Sequence, residues 1–89
     1  MVENKITQEH INSLFYEAVK EVQTVFDKCT IMACRLKNGF VIVESSACVD
    51  PSNYDFHTGI GICEEKIKNK LWELEGYRLQ CELERGEGN

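Results

Sequence analysis

What the sequence is short of narrows its possibilities first. It has one proline and one tryptophan among 89 residues, and 10 Lys and Arg stand against 15 Asp and Glu, a net charge of −5. That deficit of positive charge excludes general binding to duplex nucleic acid, which needs a basic surface to displace counterions. No apolar run approaches the roughly 18 residues of a membrane span. The start, Met1 to Thr7, carries neither a basic region leading into a long apolar run nor a small-residue cleavage site, so the expectation is a soluble, intracellular chain with no membrane partner. Cys29, Cys34, Cys48, Cys63 and Cys81 are odd in number and lack a Cys-x-x-Cys pair or a His-x₃-His partner, which disfavours a disulfide framework and a zinc site. They read as small buried hydrophobes in a reducing compartment. No carboxylate pair, Ser-His-Asp set or glycine-rich phosphate loop occurs, and nothing fixes Cys48 and His57 as a nucleophile and its base. The expectation is therefore no enzyme, no catalytic residue, no metal and no cofactor.

What is present suits a folded globule: 43% apolar and 28% charged residues lie outside the low-hydrophobicity, high-charge regime of disordered chains. A chain of this length reads as a single domain over residues 1–89, burying only about 60–65% of its unfolded surface, so self-association is an expected remedy for thin stability.

Thr7 is a good N-cap with Glu9 in the following turn, and Ile11, Leu14, Phe15, Ala18, Val22, Val25 and Phe26 recur at three- and four-residue steps. The spacing predicts a long amphipathic helix from Thr7 to Lys28. The period then shortens. Cys29 to Lys37 and Phe40 to Ser46 are β-rich and flank Asn38-Gly39, the pair most suited to a type I′ turn, so a β-hairpin is predicted over residues 29–46. Taking Asn38-Gly39 as a two-residue turn sets Leu36 opposite Val41, Arg35 opposite Ile42 and Cys34 opposite Val43. Met32, Cys34, Leu36, Val41 and Val43 then share the core face. A lone hairpin is marginal in water, so its edges are expected to pair with another chain, joining hairpins across a homodimer, or to be covered by a helix.

Asp50-Pro51 can cap and open a second helix, or Asn53 can cap a later start. Ile60, Cys63, Ile67, Leu71 and Leu74 form its apolar stripe, giving a helix over residues 53–76 that Gly76 ends or that Tyr77, Leu79 and Leu83 extend, with a frayed tail over 82–89. Gly59 and Gly61 weaken its first turns by about 1 kcal/mol each, which suggests a close backbone approach there. The fold class expected is α+β: long helix, hairpin, long helix.

Candidate binding chemistry gathers at Asn53-Tyr54-Asp55, where a strand hands over to a helix. Free N–H groups at a helix start favour phosphate or ribose oxygens, and Asn53 and Asp55 supply further donors and acceptors; the plainer reading is that both residues cap the helix. His57 reads as a solvated first-turn residue or a ligand contact, Lys66 and Lys70 as a solvated helix face or a positive edge, and Trp72 as core or subunit contact.

Leu36-Lys37-Asn38-Gly39-Phe40, then Glu44-Ser45-Ser46-Ala47-Cys48-Val49-Asp50-Pro51-Ser52-Asn53-Tyr54-Asp55, then Lys70-Leu71-Trp72-Glu73-Leu74-Glu75-Gly76-Tyr77 resemble a family of small phage proteins first named from accessory genes of short-tailed coliphages. The chain is also similar to the Thoeris anti-defence sponge proteins of the first type. That resemblance implies a phage protein working in the cytoplasm of the infected bacterial host. It would bind cyclic ADP-ribose isomers made by TIR-domain immune enzymes, and cyclic oligonucleotides in some members, without cleaving them. It implies homodimers, assembling into hexamers in some members. It implies that Asn53 and Asp55 hydrogen-bond the ligand, that Phe56 adds backbone contacts, that Lys70 takes the place of a stacking cation, and that Val43 falls where an aromatic platform is expected. The alternative is a small protein–protein interaction module acting on a host or phage protein.

Overall fold

The computed structural model describes residues 5–86. Thr7 caps the first helix as its composition suggests: its Oγ1 accepts the His10 amide at 3.2 Å, and α1 runs Gln8–Glu17 with Ile11 and Phe15 buried. The helix stops there. Ala18 is extended, and Val19–Val25 forms a strand, β1, antiparallel to β2, Cys29–Arg35, which pairs in turn with β3, Val41–Ala47. The sheet order is β1-β2-β3. A single 3₁₀ turn, Pro51–Asn53, then leads into α2, Phe56–Glu84.

The predicted layout, a hairpin between two long helices, is thus overturned: the α+β class stands, but a short helix precedes a three-stranded sheet. Ala18, Val22 and Val25 fit a helical stripe, yet Val19, Val22, Thr24 and Val25 are β-branched, and that segment gains more by laddering onto β2 than by continuing α1. The connecting turn carried only a weak sign of itself, Asp27. Phe26 and Asp27 both take left-handed backbone (φ 56° and 58°) with neither glycine nor asparagine, and the Lys28 amide closes the turn on the Val25 carbonyl at 3.2 Å.

The second turn lies where Asn38-Gly39 places it, with a different register. Leu36 donates to the Phe40 carbonyl at 2.8 Å, Gly39 (φ 93°) donates back to Leu36, and Asn38 Oδ1 accepts the Phe40 amide, so three residues rather than two make the loop. Arg35 therefore faces Val41 and Cys34 faces Ile42. A slip of one residue inverts a strand's faces. Met32 and Cys34 remain inward, but on β3 it is Ile42 that is buried, while Val41 and Val43 are 53% and 57% exposed.

The stripe of α2 matches the expected one: Cys63, Ile67 and Leu71 lie in the core with Ile11, Phe15, Met32, Cys34 and Ile42, and Ile60, Leu74 and Trp72 pack at its margin. The helix continues through Gly76 to Glu84, taking in residues the sequence placed in a tail; Arg85 caps it, and residues 87–89 lie outside the described set. Its buried N-terminal contact explains one glycine. A Cβ on Gly59 would stand 2.2 Å from Thr30 Oγ1, whereas Gly61 has nothing within 4 Å. Of these two glycines, Gly59 alone marks a close approach of the helix to the sheet.

Candidate functional site

The segment between β3 and α2 is organised by two aspartates. Asp50 caps the 3₁₀ turn, its Oδ1 accepting the Ser52 amide at 2.9 Å, with Pro51 at the first position. Asp55, not Asn53, caps α2: its Oδ1 accepts the amides of His57 (3.0 Å) and Thr58 (3.4 Å). Those donors hold the Asp55 carboxyl below its usual range, the Thr58 amide contributing most, and the Ser52 amide does the same for Asp50. Asp55 Oδ2 carries no partner among the described residues, and neither do the Asn53 side chain and the Phe56 amide. The capping reading and the binding reading of Asp55 are thus compatible, one oxygen serving each.

These groups border a concavity of about 370 Å³ formed by the end of β3 and the first turns of α2; Ser46, Cys48, Asn53, Asp55, Thr58 and Ile62 line it. It is tied to the sheet in a way the sequence did not reveal. Tyr54, between the two candidate ligand residues, sends its hydroxyl beneath the sheet to Thr30 Oγ1 at 2.5 Å and Thr24 Oγ1 at 2.9 Å. Thr30 is fully buried and is the residue against which Gly59 packs. The threonines at positions 24 and 30, cross-strand partners on β1 and β2, were the available signal, and it becomes readable only once β1 is a strand.

The other expected site residues lie elsewhere. Val43 and Lys70 border a second concavity of about 460 Å³ with Phe40, Val41, Glu44 and Leu74. The helix runs back along β3: Cys63 Sγ is 3.7 Å from the Glu44 carbonyl, Lys66 Nζ donates to the Ser45 carbonyl at 2.7 Å, and Leu74 reaches Phe40. From Thr58 to Lys70 is a distance of roughly 18 Å along the helix axis. One small ligand cannot touch both groups within one chain. Lys70 sits beside Glu73 at 3.6 Å, both well exposed. Phe56 is 40% exposed with its ring edge-on to His57. No contact joins His57 to Cys48, whose Sγ is directed to the carbonyls of Asp50 and Lys28. Burial pushes the Cys34 and Cys63 thiols up, away from thiolate chemistry.

Among the described residues no group of three His, Cys, Asp or Glu is placed to hold a metal ion, and no helix is long and apolar enough to cross a membrane. Compared with known proteins, residues 1–83 match the model of one family, described as phage protein (N4 Gp49/phage Sf6 gene 66). No curated protein and no solved structure matches.

Proposed function

The chain belongs to the phage protein (N4 Gp49/phage Sf6 gene 66) family, and on that footing we propose that it is a non-enzymatic sponge for cyclic nucleotide immune signals in the cytoplasm of the infected bacterium. Cyclic ADP-ribose isomers are the first candidates and cyclic oligonucleotides the second. The observation that carries the reading is the convergence at one concavity of the unengaged Asn53 side-chain amide and an unengaged Asp55 oxygen, beside the open Phe56 N–H at the positive end of α2. Such a set accepts from ribose hydroxyls and donates to phosphate without requiring a basic protein. The net charge of −5 bars a nucleic-acid track but not a local anion site.

A homodimer completes this proposal. β3 is an edge strand, and α2 runs antiparallel beside it. Two copies apposed antiparallel along β3 bring the Val43 and Lys70 end of one to the Asn53 and Asp55 end of the other, closing the gap of roughly 18 Å that a single chain leaves.

The test is incubation of the purified protein with a panel of cyclic ADP-ribose isomers and cyclic oligonucleotides. A sponge gains thermal stability and, on heating, releases an intact nucleotide identifiable by mass; Asn53→Ala/Asp55→Ala abolishes both. No shift and no released nucleotide with any member sinks the reading, and a released cleavage product would make the protein an enzyme. A second reading, a protein-interaction module, is favoured by the uncovered sheet face, where Val19, Val41 and Val43 are all more than half exposed. It predicts a partner retained by the same double variant.

A further inference from the structure

We infer that Tyr54 is the positioning residue of the concavity, and that through its hydroxyl the setting of the Asn53–Asp55 loop and the attachment of the edge strand β1 become one cooperative event. The coupling itself stands on the hydrogen bonds; its consequence for ligand affinity rests on the nucleotide reading above.

Two adjoining strands and a segment more than twenty residues further on meet at this one oxygen. Tyr54 leads from the 3₁₀ turn into the cap of α2, Thr24 lies on β1, and Thr30 on β2, with O···O separations of 2.9 Å and 2.5 Å. A phenol has one proton to donate and accepts in return, so it serves both threonines at once. Thr30 is fully buried and its hydroxyl has no other side-chain partner among the described residues, so without Tyr54 it is orphaned in the core. Gly59 closes off the alternative of Thr30 shifting toward α2, since that helix already lies against it.

The linkage matters because β1 is held weakly. It is an edge strand, and its residues from Val19 to Val25 are exposed or half-buried throughout. Among the described residues, the side-chain hydrogen bond by which β1 reaches the 48–55 segment is that of Thr24. On the other side, the amides of Ser52, Asn53 and Tyr54 are held by local bonds to Asp50 and Pro51 and so report the order of the loop. When β1 lifts, Tyr54 loses one of its two anchors, and the residues on either side of it lose their fixed direction into the concavity.

Amide hydrogen exchange on the unliganded protein tests the coupling with Thr24→Val, Thr24→Ser and Tyr54→Phe. Thr24→Val removes one exposed hydroxyl on β1 and leaves every residue that lines the concavity in place. It should nevertheless raise exchange of the Ser52, Asn53 and Tyr54 amides several-fold, while Thr24→Ser restores the original rates. Tyr54→Phe should raise exchange in both the 52–54 and the 19–25 segments about tenfold, leaving Ile67 to Leu79 of α2 unchanged. Loosening of β1 alone by Thr24→Val, or no change in β1 with Tyr54→Phe, overturns the inference. Titration with cyclic ADP-ribose adds the functional arm: Thr24→Val should weaken binding several-fold and Thr24→Ser should recover it. If the unaltered protein does not bind that probe or the other cyclic nucleotides, the sponge reading fails, while the exchange comparison still decides the coupling.

Discussion

The groove between β3 and α2 has two ends, built to different standards. At the Asn53 and Asp55 end, helix and sheet meet backbone to side chain through Gly59 and Thr30, a buried hydroxyl is satisfied by Tyr54, and both aspartates are committed to caps. At the Val43 and Lys70 end, the side chains stand in solvent and the ion pair with Glu73 is exposed. The first end is preorganised and the second is free to rearrange. A ligand met by the first end costs less ordering entropy, whereas the second gains definition only when something covers it.

Substitutions should separate the ends by size of effect. Gly59→Ala places a methyl against a residue that cannot retreat; an overpacking cost near 3 kcal/mol, offset by about 1 kcal/mol of helix propensity, leaves a net loss of about 2 kcal/mol in urea unfolding. Stability unchanged in that variant would mean the tight end is no tighter than the other. Asp55→Ala removes the cap of α2 and should lower Tm by roughly 5 °C. Its effect is also pH-dependent in sign. Because the Asp55 carboxyl is held below its ordinary value, its contribution is present above the unfolded value of about 3.9 and is lost as pH falls through the folded one. The variant should therefore converge on the parent in unfolding scans as pH falls through the folded value; a gap that persists in acid would show the loss is not that of the carboxylate. Glu75 adds to the same acid limb: burial pushes its carboxyl up, but hydrogen bonds from Arg78 and His10 prevail and bring it down. Gly61→Ala, two residues from Gly59 and in open space, should instead gain about 0.8 kcal/mol. Lys70→Ala at the loose end should change stability by less than about 0.5 kcal/mol. In the ligand titration the same substitution should weaken binding, which would mark that end as part of a site only when covered.

Much of α2 was legible because its signals are local. The stripe through Cys63, Ile67 and Leu71 needs one face covered by any apolar partner, and Asp50-Pro51 opens a helical turn wherever it stands. The pair Asn38-Gly39 marked its turn but left the loop length open: a two-residue turn places Val41 and Val43 inside, a three-residue one places Ile42 inside, and β3 carries apolar residues on both faces. β1 was hidden because Ala18, Val22 and Val25 satisfy a helical period, and its turn uses Phe26, a residue that pays a steric penalty at positive φ and leaves its ring 86% exposed. Of the expected site residues, Asn53 and Asp55 could be placed together because two positions cannot be far apart. Val43 and Lys70 could not, since only the direction of α2 along β3 says which end they occupy.

The sequence by itself determined the class of the fold, the long second helix with its buried stripe, the position of one turn, and the polar cluster at Asn53 to Asp55, all consequences of propensity and spacing within a few residues. The tertiary structure decided where α1 stops, which face of β3 is inside, and that Tyr54 locks the cluster to two strands. Those outcomes depend on what each segment finds to pair with. A β-branched stretch beside an open strand edge takes the ladder, a register follows the loop that closes it, and a buried threonine hydroxyl holds whichever partner can reach it.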